Sequence, residues 1–336
     1  LYNFNIIDIS IMDGTLSSVL ISVLIIIAGS LLLYFGAEGL VRGSSSMAFR
    51  FKITPLIIGL TIVAFGTSSP ELVVSITSAL KGNGEIALGN VIGTNICNIA
   101  FILGLSSLIR PIKVNIKLIT SDILLMLIAS ALFLILLLDG EISFTDGIIL
   151  TSGIIAYIVW TIFEAKKTKY ITDSDTFAQE LPKATKRLIF DIILIAGGLL
   201  ILVLGADLFI KGAIDVARMF GATDAFIGLT LVAFGTSLPE LATSLVAAIK
   251  NEGDISIGNV VGSNIFNILG IIGIAGILIP IRANNIQTID VGVMIFVAIL
   301  ILPLAWSKLK LERWEGALLL TIYFGYIYYL YLQLPK

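Results

Sequence analysis

Residues 59–100 read GLTIVAFGTSSPELVVSITSALKGNGEIALGNVIGTNICNIA, and residues 228–269 read GLTLVAFGTSLPELATSLVAAIKNEGDISIGNVVGSNIFNIL. The two stretches align without a gap, Gly59 against Gly228, and are identical at 25 of 42 positions. The same constant offset relates Glu38 to Asp207. Self-similarity at a fixed offset is the signature of a repeated structural unit. The chain therefore consists of two copies of one unit.

The composition is that of a membrane protein. Of 336 residues, 57% are apolar, 13% are charged and none is histidine, whereas an average globular chain is about 25% charged. The net charge of −2 offers no basic surface for nucleic acid. With the single cysteine Cys97 and no histidine, disulfide frameworks, thiolate or imidazole metal sites and histidine-based catalysis are excluded.

Ten stretches are apolar and long enough to be membrane-spanning helices, which need about 20 residues. They are residues 16–41, 55–80, 86–109, 117–138, 146–164, 188–211, 225–249, 255–280, 286–307 and 313–333. The fold class predicted is an all-α polytopic membrane protein with ten transmembrane helices. The predicted organisation is an extracellular N-terminal tail (1–15), repeat 1 (16–164), a cytoplasmic linker (165–187) and repeat 2 (188–336).

The orientation follows from the excess of Lys and Arg in cytoplasmic loops. With the N-terminus outside, sixteen of the 21 basic residues fall inside the cell. This predicts a multi-pass protein of the cell membrane with both termini extracellular. Because each repeat has five spans, the second repeat enters the membrane from the opposite side, and the repeats are inverted.

Inverted repeats are typical of secondary transporters, whose substrates bind near the middle of the bilayer on interrupted helices. The matching interruptions here are Gly66–Glu71, GTSSPE, and Gly235–Glu240, GTSLPE. Proline removes a backbone donor and frees carbonyls one turn earlier, here near Ala64 and Ala233. A cation is one partner for such oxygens in lipid.

The residues around the interruptions offer oxygen ligands only. Glu71 and Glu240 are the carboxylates placed deep inside spans, where a charge costs about 2.5–3.5 kcal/mol unless it has a partner. Hydroxyls come from Thr67, Ser68, Thr236 and Ser237. Such all-oxygen sites suit Ca²⁺ and Na⁺ rather than softer metals. The combined charge of −2 matches one divalent cation, or two or three monovalent ones.

A second paired motif, GNVIGTNICNI from Gly89 and GNVVGSNIFNI from Gly258, adds amides on successive helical turns. Asn95 and Asn98 are three residues apart and share a helix face, as do Asn264 and Asn267. Asn90, Asn95, Asn259 and Asn264 are interpreted as supports for the surrounding backbone.

The doubled GTS-x-PE and GN-x-x-G-[ST]-N-I-x-N motifs resemble the alpha-repeats of the Ca²⁺/cation antiporter superfamily, specifically its prokaryotic Na⁺/Ca²⁺ exchangers. The resemblance covers nearly the whole chain. It implies a central ion site that opens alternately to each side as two long helices, spans one and six, slide. Carried over by motif, the principal ligands are Glu71, Asn98, Glu240 and Asn267; the helpers are Thr67, Ser68, Thr94, Thr236, Ser237 and Ser263, with the carbonyls of Ala64 and Ala233.

The chain departs from two branches of that superfamily. Members that depend on K⁺ have aspartate at the position of Asn267, and H⁺/Ca²⁺ exchangers have glutamate at the position of Gly93 and Gly262. Both departures favour Na⁺ coupling over K⁺ or H⁺ coupling.

The sequence thus predicts a secondary antiporter, not an enzyme, that exports Ca²⁺ against Na⁺ by alternating access, with net charge movement. Its transported ions are Ca²⁺ and Na⁺, it needs no cofactor, it contacts the lipid bilayer, and it functions as a monomer. The alternatives are H⁺- or K⁺-coupled divalent cation exchange, an ion channel and an intramembrane enzyme.

Overall fold

The computed structural model describes residues 6–169, 187–219, 233–283 and 286–333. The helices in chain order are α1 (Ile6–Phe51), α2 (Pro55–Thr67), α3 (Ser69–Leu80), α4 (Gly84–Ile109), α5 (Leu118–Asp139), α6 (Phe144–Lys169), α7 (Leu188–Met219), α8 (Ala233–Thr236), α9 (Leu238–Ile249), α10 (Gly253–Leu278), α11 (Thr288–Lys308) and α12 (Arg313–Leu332). The two halves have the same order of elements, which confirms that the chain is a repeat of one largely helical unit.

Seven of the described helices are long and apolar enough to cross a membrane: α1 from Val19, α4, α5, α6 up to Ala165, α7, α10 and α11. The pair α2 and α3 passes the same test together, with a bend of 45° between the two helices. Judged by length and composition, the described helices therefore do not give the ten membrane spans that the sequence predicts. Five tyrosines lower the hydropathy of α12, and the predicted span 225–249 is described only from residue 233.

The ends of the predicted domains fall partly outside the described residues. Helix α1 begins at Ile6, inside the predicted tail, and α6 continues to Lys169, inside the predicted linker. Residues 170–186 of that linker, and residues 220–232 of repeat 2, lie outside the part of the chain that the structure describes.

In the described part of the chain, four two-residue strands add a small β component that the all-α prediction lacks. They are β1 (Ile112–Lys113), β2 (Glu141–Ile142), β3 (Ile281–Arg282) and β4 (Lys310–Leu311). Antiparallel pairing joins β1 to β4 and β2 to β3. The offset of the internal repeat converts one pair into the other, so the repeats are related by a pseudo-twofold arrangement and each strand pairs with the other repeat.

Helices α4 and α10 form the centre of the molecule. Within their most apolar windows, 72% of the residues of α4 and 83% of those of α10 are buried. Helix α12 packs against α4, and α6 packs against α10. Most of the polar residues along the middle of these two helices are therefore removed from both water and lipid.

Helices α1 and α7 cross each other over the most extensive helix interface of the described residues. Glycines form the crossing: a Cβ atom on Gly198 would lie 2.7 Å from the carbonyl oxygen of Gly36, and one on Gly205 would lie 2.8 Å from the nitrogen of Leu33. Small residues at this spacing let membrane helices approach backbone to backbone.

The two repeats do not have the same surroundings. Helix α1 packs along α9, whereas the counterpart of this contact, between α7 and α3, has no comparable interface among the described residues. Val73 of α3 is 63% exposed, whereas the matching Ala242 of α9 is half-buried. The fold is thus symmetric in its core and asymmetric at the α1–α7 pair.

Candidate ion-binding site

Each repeat has a broken helix at the predicted interruption. Helix α2 ends at Thr67 and α3 starts at Ser69, with Ser68 at φ −79° and ψ 8° between them. Ser237 has nearly the same angles, −84° and 3°, between α8 and α9. Pro70 and Pro239 stand at the second position of the following helix, where a missing N–H costs nothing but the helix before cannot continue.

Glu71 and Glu240 therefore lie in the first turn of α3 and α9. The positive end of the helix dipole favours a carboxylate there. Both side chains are fully buried. The hydroxyl of Ser68 donates to Glu240 Oε1 at 2.9 Å. The other oxygen of Glu240 and both oxygens of Glu71 accept no hydrogen bond among the described residues.

Other buried carboxylates in the described part of the chain do have donors. Asp122 accepts from the Tyr157 hydroxyl at 3.3 Å, and Asp191 pairs with Arg50 at 2.7 Å. The sequence analysis did not count these acids because they lie towards helix ends. The contrast distinguishes Glu71, whose carboxylate is buried without a donor from the described residues.

Asn98 and Asn267 are fully buried on α4 and α10. Each lies in a wide π-helical turn, Cys97–Leu103 and Phe266–Ile272, a feature common at functional sites. Their amide nitrogens donate at 3.0 Å to Asn264 Oδ1 and Asn95 Oδ1. Their own Oδ1 atoms accept nothing from the described residues. The four predicted principal ligands thus carry five buried acceptor oxygens without a donor in the part of the chain described.

The predicted helper hydroxyls connect the broken helix of one repeat to the central helix of the other. Ser263 of α10 donates to the carbonyl of Ala64 at 3.4 Å, and Ser237 donates to Thr94 of α4 at 3.5 Å. Thr67 donates to Asn259 Oδ1 of α10 at 3.0 Å. Each break therefore lies against the opposite repeat.

Three predicted helpers need separate comment. The carbonyl of Ala64 is already engaged, since it accepts from the Ser68 N–H at 3.0 Å and from the Thr67 and Ser263 hydroxyls. The hydroxyl of Thr236 lies near Glu71. Ala233 begins α8, and its side chain is outside the described part. The role of these groups as ion ligands stays a prediction.

The structure adds two supporting hydroxyls that the sequence analysis did not select. Ser75 accepts from the Asn90 amide at 3.0 Å, and Ser244 accepts from the Asn259 amide at 3.0 Å. The sequence contained the signal, because both serines fall at matching positions of the repeats. They hold the amides of Asn90 and Asn259 beside the first turns of α3 and α9.

Comparison with known proteins gives the family. The sequence model described as sodium/calcium exchanger protein matches residues 21–163 and, a second time, residues 190–332. This chain belongs to the sodium/calcium exchanger family. The two matched ranges begin and end at equivalent positions of the internal repeat, so each repeat carries the family pattern.

Individual members of the exchanger family resemble the chain over nearly its full length. The chain is 36% identical over 323 residues to putative antiporter CaxA of Alkalimonas amylolytica, covering 93% of this chain and 99% of the relative. It is 31% identical over 348 residues to sodium/calcium exchanger MaX1 of Methanosarcina acetivorans, with the same coverages.

A solved structure of the sodium-calcium exchanger NCX_Mj, soaked with zero Na⁺ and Ca²⁺, superposes with a TM-score of 0.81 at 35% identity. The match covers 93% of this chain and 99% of that one. The resemblance drawn from the doubled motifs is confirmed, and the chain is a multi-pass membrane protein of an exchanger family rather than a family of enzymes.

Proposed function

We propose that the chain is an antiporter that exchanges Na⁺ for Ca²⁺ by alternating access. The observation that carries the proposal is the set of five buried acceptor oxygens, without donors among the described residues, on Glu71, Glu240, Asn98 and Asn267. An unsatisfied buried polar group costs about 1–3 kcal/mol, and a charged one costs more. A desolvated cation satisfies several acceptors of this kind together.

The chemistry of the site supports Ca²⁺ and Na⁺. Both are hard cations that take oxygen ligands, and the carboxylates and amides supply only oxygen to the site. Two carboxylates balance the charge of one Ca²⁺ or of two Na⁺, and a third Na⁺ would leave the occupied site with one net positive charge. The ions therefore compete for overlapping positions, and an occupied site is the one that changes sides.

The charge balance gives the proposal an electrical consequence. If three Na⁺ exchange for one Ca²⁺, one net charge crosses per cycle. Each charge is worth about 2.3 kcal/mol per 100 mV of membrane potential. A negative interior then drives Na⁺ entry and Ca²⁺ export.

We also propose ten crossings, and contacts between distant parts of the chain support this count. Residues in contact lie on the same side of an apolar layer about 30 Å thick, so an even number of crossings separates them. The Arg50–Asp191 ion pair joins the end of α1 to the start of α7. Between them lie α4, α5, α6 and the bent α2–α3 pair, which therefore counts as one crossing.

The strand pairs support the same argument for the second repeat. Strand β2 pairs with β3, and the chain between them contains α6, α7, α10 and the segment with α8 and α9. An even number requires this segment to cross as well. Helix α12 then forms the tenth crossing, since it runs back along α4 from Arg313, which donates to the Ile109 carbonyl at 3.4 Å, to Tyr323 beside Phe101.

The orientation and the oligomeric state belong to the same proposal. The excess of basic residues assigns the β1–β4 side to the cytoplasm, and both termini to the outside. Because one chain contributes both repeats and all the candidate ligands, a monomer is sufficient for transport.

The asymmetry of the α1–α7 pair supports alternating access. In an inverted repeat, the second state arises when each repeat adopts the surroundings of the other. Helix α1 covers α9 near the cytoplasmic side in this structure, while α3 is left uncovered towards the outside. The opposite state would cover α3 with α7.

The test is uptake of ⁴⁵Ca²⁺ into proteoliposomes loaded with Na⁺ and diluted into Na⁺-free buffer, beside choline-loaded controls. We expect uptake only with internal Na⁺, and acceleration by an interior-positive potential, since Na⁺ leaves the vesicles. Uptake that ignores Na⁺ but follows a pH gradient or K⁺ would indicate the alternative coupling ion. Conductance without a counter-ion would indicate a channel.

A further inference from the structure

Four asparagines form a closed hydrogen-bonded group between α4 and α10 at the centre of the molecule. Asn98 donates to Asn264 Oδ1 and Asn267 donates to Asn95 Oδ1, each at 3.0 Å. Asn95 donates to the Asn264 backbone carbonyl at 3.5 Å, and Asn264 donates to the Asn95 carbonyl at 3.4 Å. All four residues are almost completely buried.

The direction of these hydrogen bonds is fixed by groups that cannot rotate. A backbone carbonyl only accepts, so the amide nitrogen of Asn95 must face the carbonyl of Asn264. Its second N–H points to the Met294 sulfur at 3.9 Å. The oxygen of Asn95 consequently faces Asn267, which turns its own nitrogen towards Asn95 and leaves its Oδ1 without a donor from the described residues.

Asn264 and Asn98, which match Asn95 and Asn267 in the other repeat, form the same pattern of hydrogen bonds. Asn264 uses its nitrogen on the Asn95 carbonyl and on the Met126 sulfur at 3.7 Å. Its oxygen then accepts from Asn98, and the Oδ1 of Asn98 is left to accept from outside the described residues. Each chain of bonds ends in an amide oxygen at the candidate site.

We infer that Asn95 and Asn264 are positioning residues that hold the amides of Asn267 and Asn98 with their oxygens towards the transported ion. The relation is crossed: Asn95 acts on Asn267 of the other helix, although Asn98 is its neighbour on α4. The inference rests on the proposed function. It adds that Asn95 and Asn264 make the amides of Asn267 and Asn98 selective for a cation.

The orientation matters because an amide has two different ends of nearly the same shape. Turning the amide end for end replaces an acceptor oxygen with an NH₂ donor at the same place. A donor repels Na⁺ and Ca²⁺ and leaves a gap in their coordination. The amides of Asn98 and Asn267 bind cations only while their oxygens are held inward, which the acceptors on Asn95 and Asn264 ensure.

Double-mutant cycles test the crossed relation, because residues that act through one another give non-additive effects. The dissociation constant of the purified protein for Ca²⁺ is measured by isothermal titration calorimetry, and the KM for Ca²⁺ is measured in proteoliposomes. We expect Asn95→Leu to raise both constants at least about tenfold. We expect the same substitution to add little in an Asn267→Ala background and to act in full in an Asn98→Ala background.

The second double-mutant cycle, at the matching residues of the other repeat, combines Asn264→Leu with Asn98→Ala and uses Asn267→Ala as its control. Asn95→Ser and Asn264→Ser retain a hydroxyl acceptor at smaller volume and serve if the leucine variants do not fold. Their expected rise in KM is smaller than that of the leucine variants, with the same crossed pattern.

Coupling of Asn95 to Asn98 on the same helix, or effects that add in both backgrounds, would overturn the inference. A lower melting temperature with unchanged Ca²⁺ affinity would do so as well, because it would show the asparagines to be helix–helix contacts only. Wild-type protein that neither binds nor transports Ca²⁺ would overturn the proposed function and the inference with it.

Discussion

Glu71 and Glu240 occupy the same position in the two repeats and differ in their partners. Ser68 donates to Glu240, whereas the matching Ser237 donates to Thr94. Glu71 is therefore the carboxylate with two oxygens that accept nothing from the described residues. At the scale of single residues, the site is asymmetric although the sequence around it is nearly the same in both halves.

We expect Glu71→Gln and Glu240→Gln each to lower Ca²⁺ transport at least about 100-fold. Removing one partner of a buried charge interaction costs about 3–5 kcal/mol, and glutamine keeps the shape while removing the charge. The measurement is Na⁺-dependent ⁴⁵Ca²⁺ uptake, together with the melting temperature of each variant.

Glu141→Gln is the matched control, since Glu141 pairs with the exposed Arg282 at the surface. We expect it to transport like the wild type. Normal transport by either site variant would remove Glu71 or Glu240 from the ion site.

At the scale of elements, the glycines of α1 and α7 set how closely these helices approach. Gly198 lies against the backbone of α1, and around its neighbour Gly197 an added Cβ would meet no described atom within 4 Å. The sequence GG at 197–198 does not distinguish the two. The packing of the second helix is what assigns them different roles.

We expect Gly198→Ala to destabilise the protein by about 1–3 kcal/mol, the usual cost of overpacking, because its Cβ would lie 2.7 Å from the Gly36 carbonyl oxygen. Gly197→Ala is the control and should not lower the melting temperature, because alanine favours the helix over glycine and its Cβ would meet no described atom within 4 Å. Thermal unfolding followed by size-exclusion chromatography measures both. Equal melting temperatures for the two variants would contradict the backbone contact at the crossing.

At the scale of the whole molecule, an ion pair accompanies the packing of α1 on α9. Lys250, at the end of α9, pairs with Glu38 of α1 at 2.6 Å. The matching residues in the other half are Lys81 and Asp207, and Asp207 instead pairs with Lys211 of its own helix. The contact between α1 and α9 thus includes an ion pair between helices, and no matching pair joins α7 to α3 among the described residues.

We expect this asymmetry to be visible in thiol labelling. In a Cys97→Ser background, a membrane-impermeant reagent should label Val73→Cys on the uncovered α3, and should label the matching Ala242→Cys on α9 slowly. Lys250→Glu should decrease the first rate and increase the second, up to about fivefold, because a partly exposed ion pair is worth about 0.2–1 kcal/mol. If the two labelling rates did not respond to Lys250→Glu, the Lys250–Glu38 ion pair would have no part in the proposed alternation between the two states.

The repeat, the helical membrane class and the family could be predicted from the sequence alone, and the sequence also supplied the candidate residues of the site, whose role as ion ligands stays a prediction. They depend on local properties: apolar length, a constant offset between two similar stretches, and prolines and carboxylates at matching positions. Glu71, Glu240, Asn98 and Asn267 were all recognisable before any contact was known.

The partner of each of these groups, by contrast, is set by tertiary packing. Two nearly identical motifs cannot show that the Ser68 hydroxyl lies 2.9 Å from a carboxylate oxygen of Glu240 while the Ser237 hydroxyl lies 3.5 Å from that of Thr94. Nor can they show that Asn95 Oδ1 accepts from Asn267 rather than from Asn98. Such partners lie in the other repeat, far away along the chain, and are chosen by how α4 and α10 pack at the pseudo-twofold axis. The asymmetry of α1 and α7 could not be predicted for the same reason. Two similar sequence repeats are compatible with α1 covering α9 and equally with α7 covering α3.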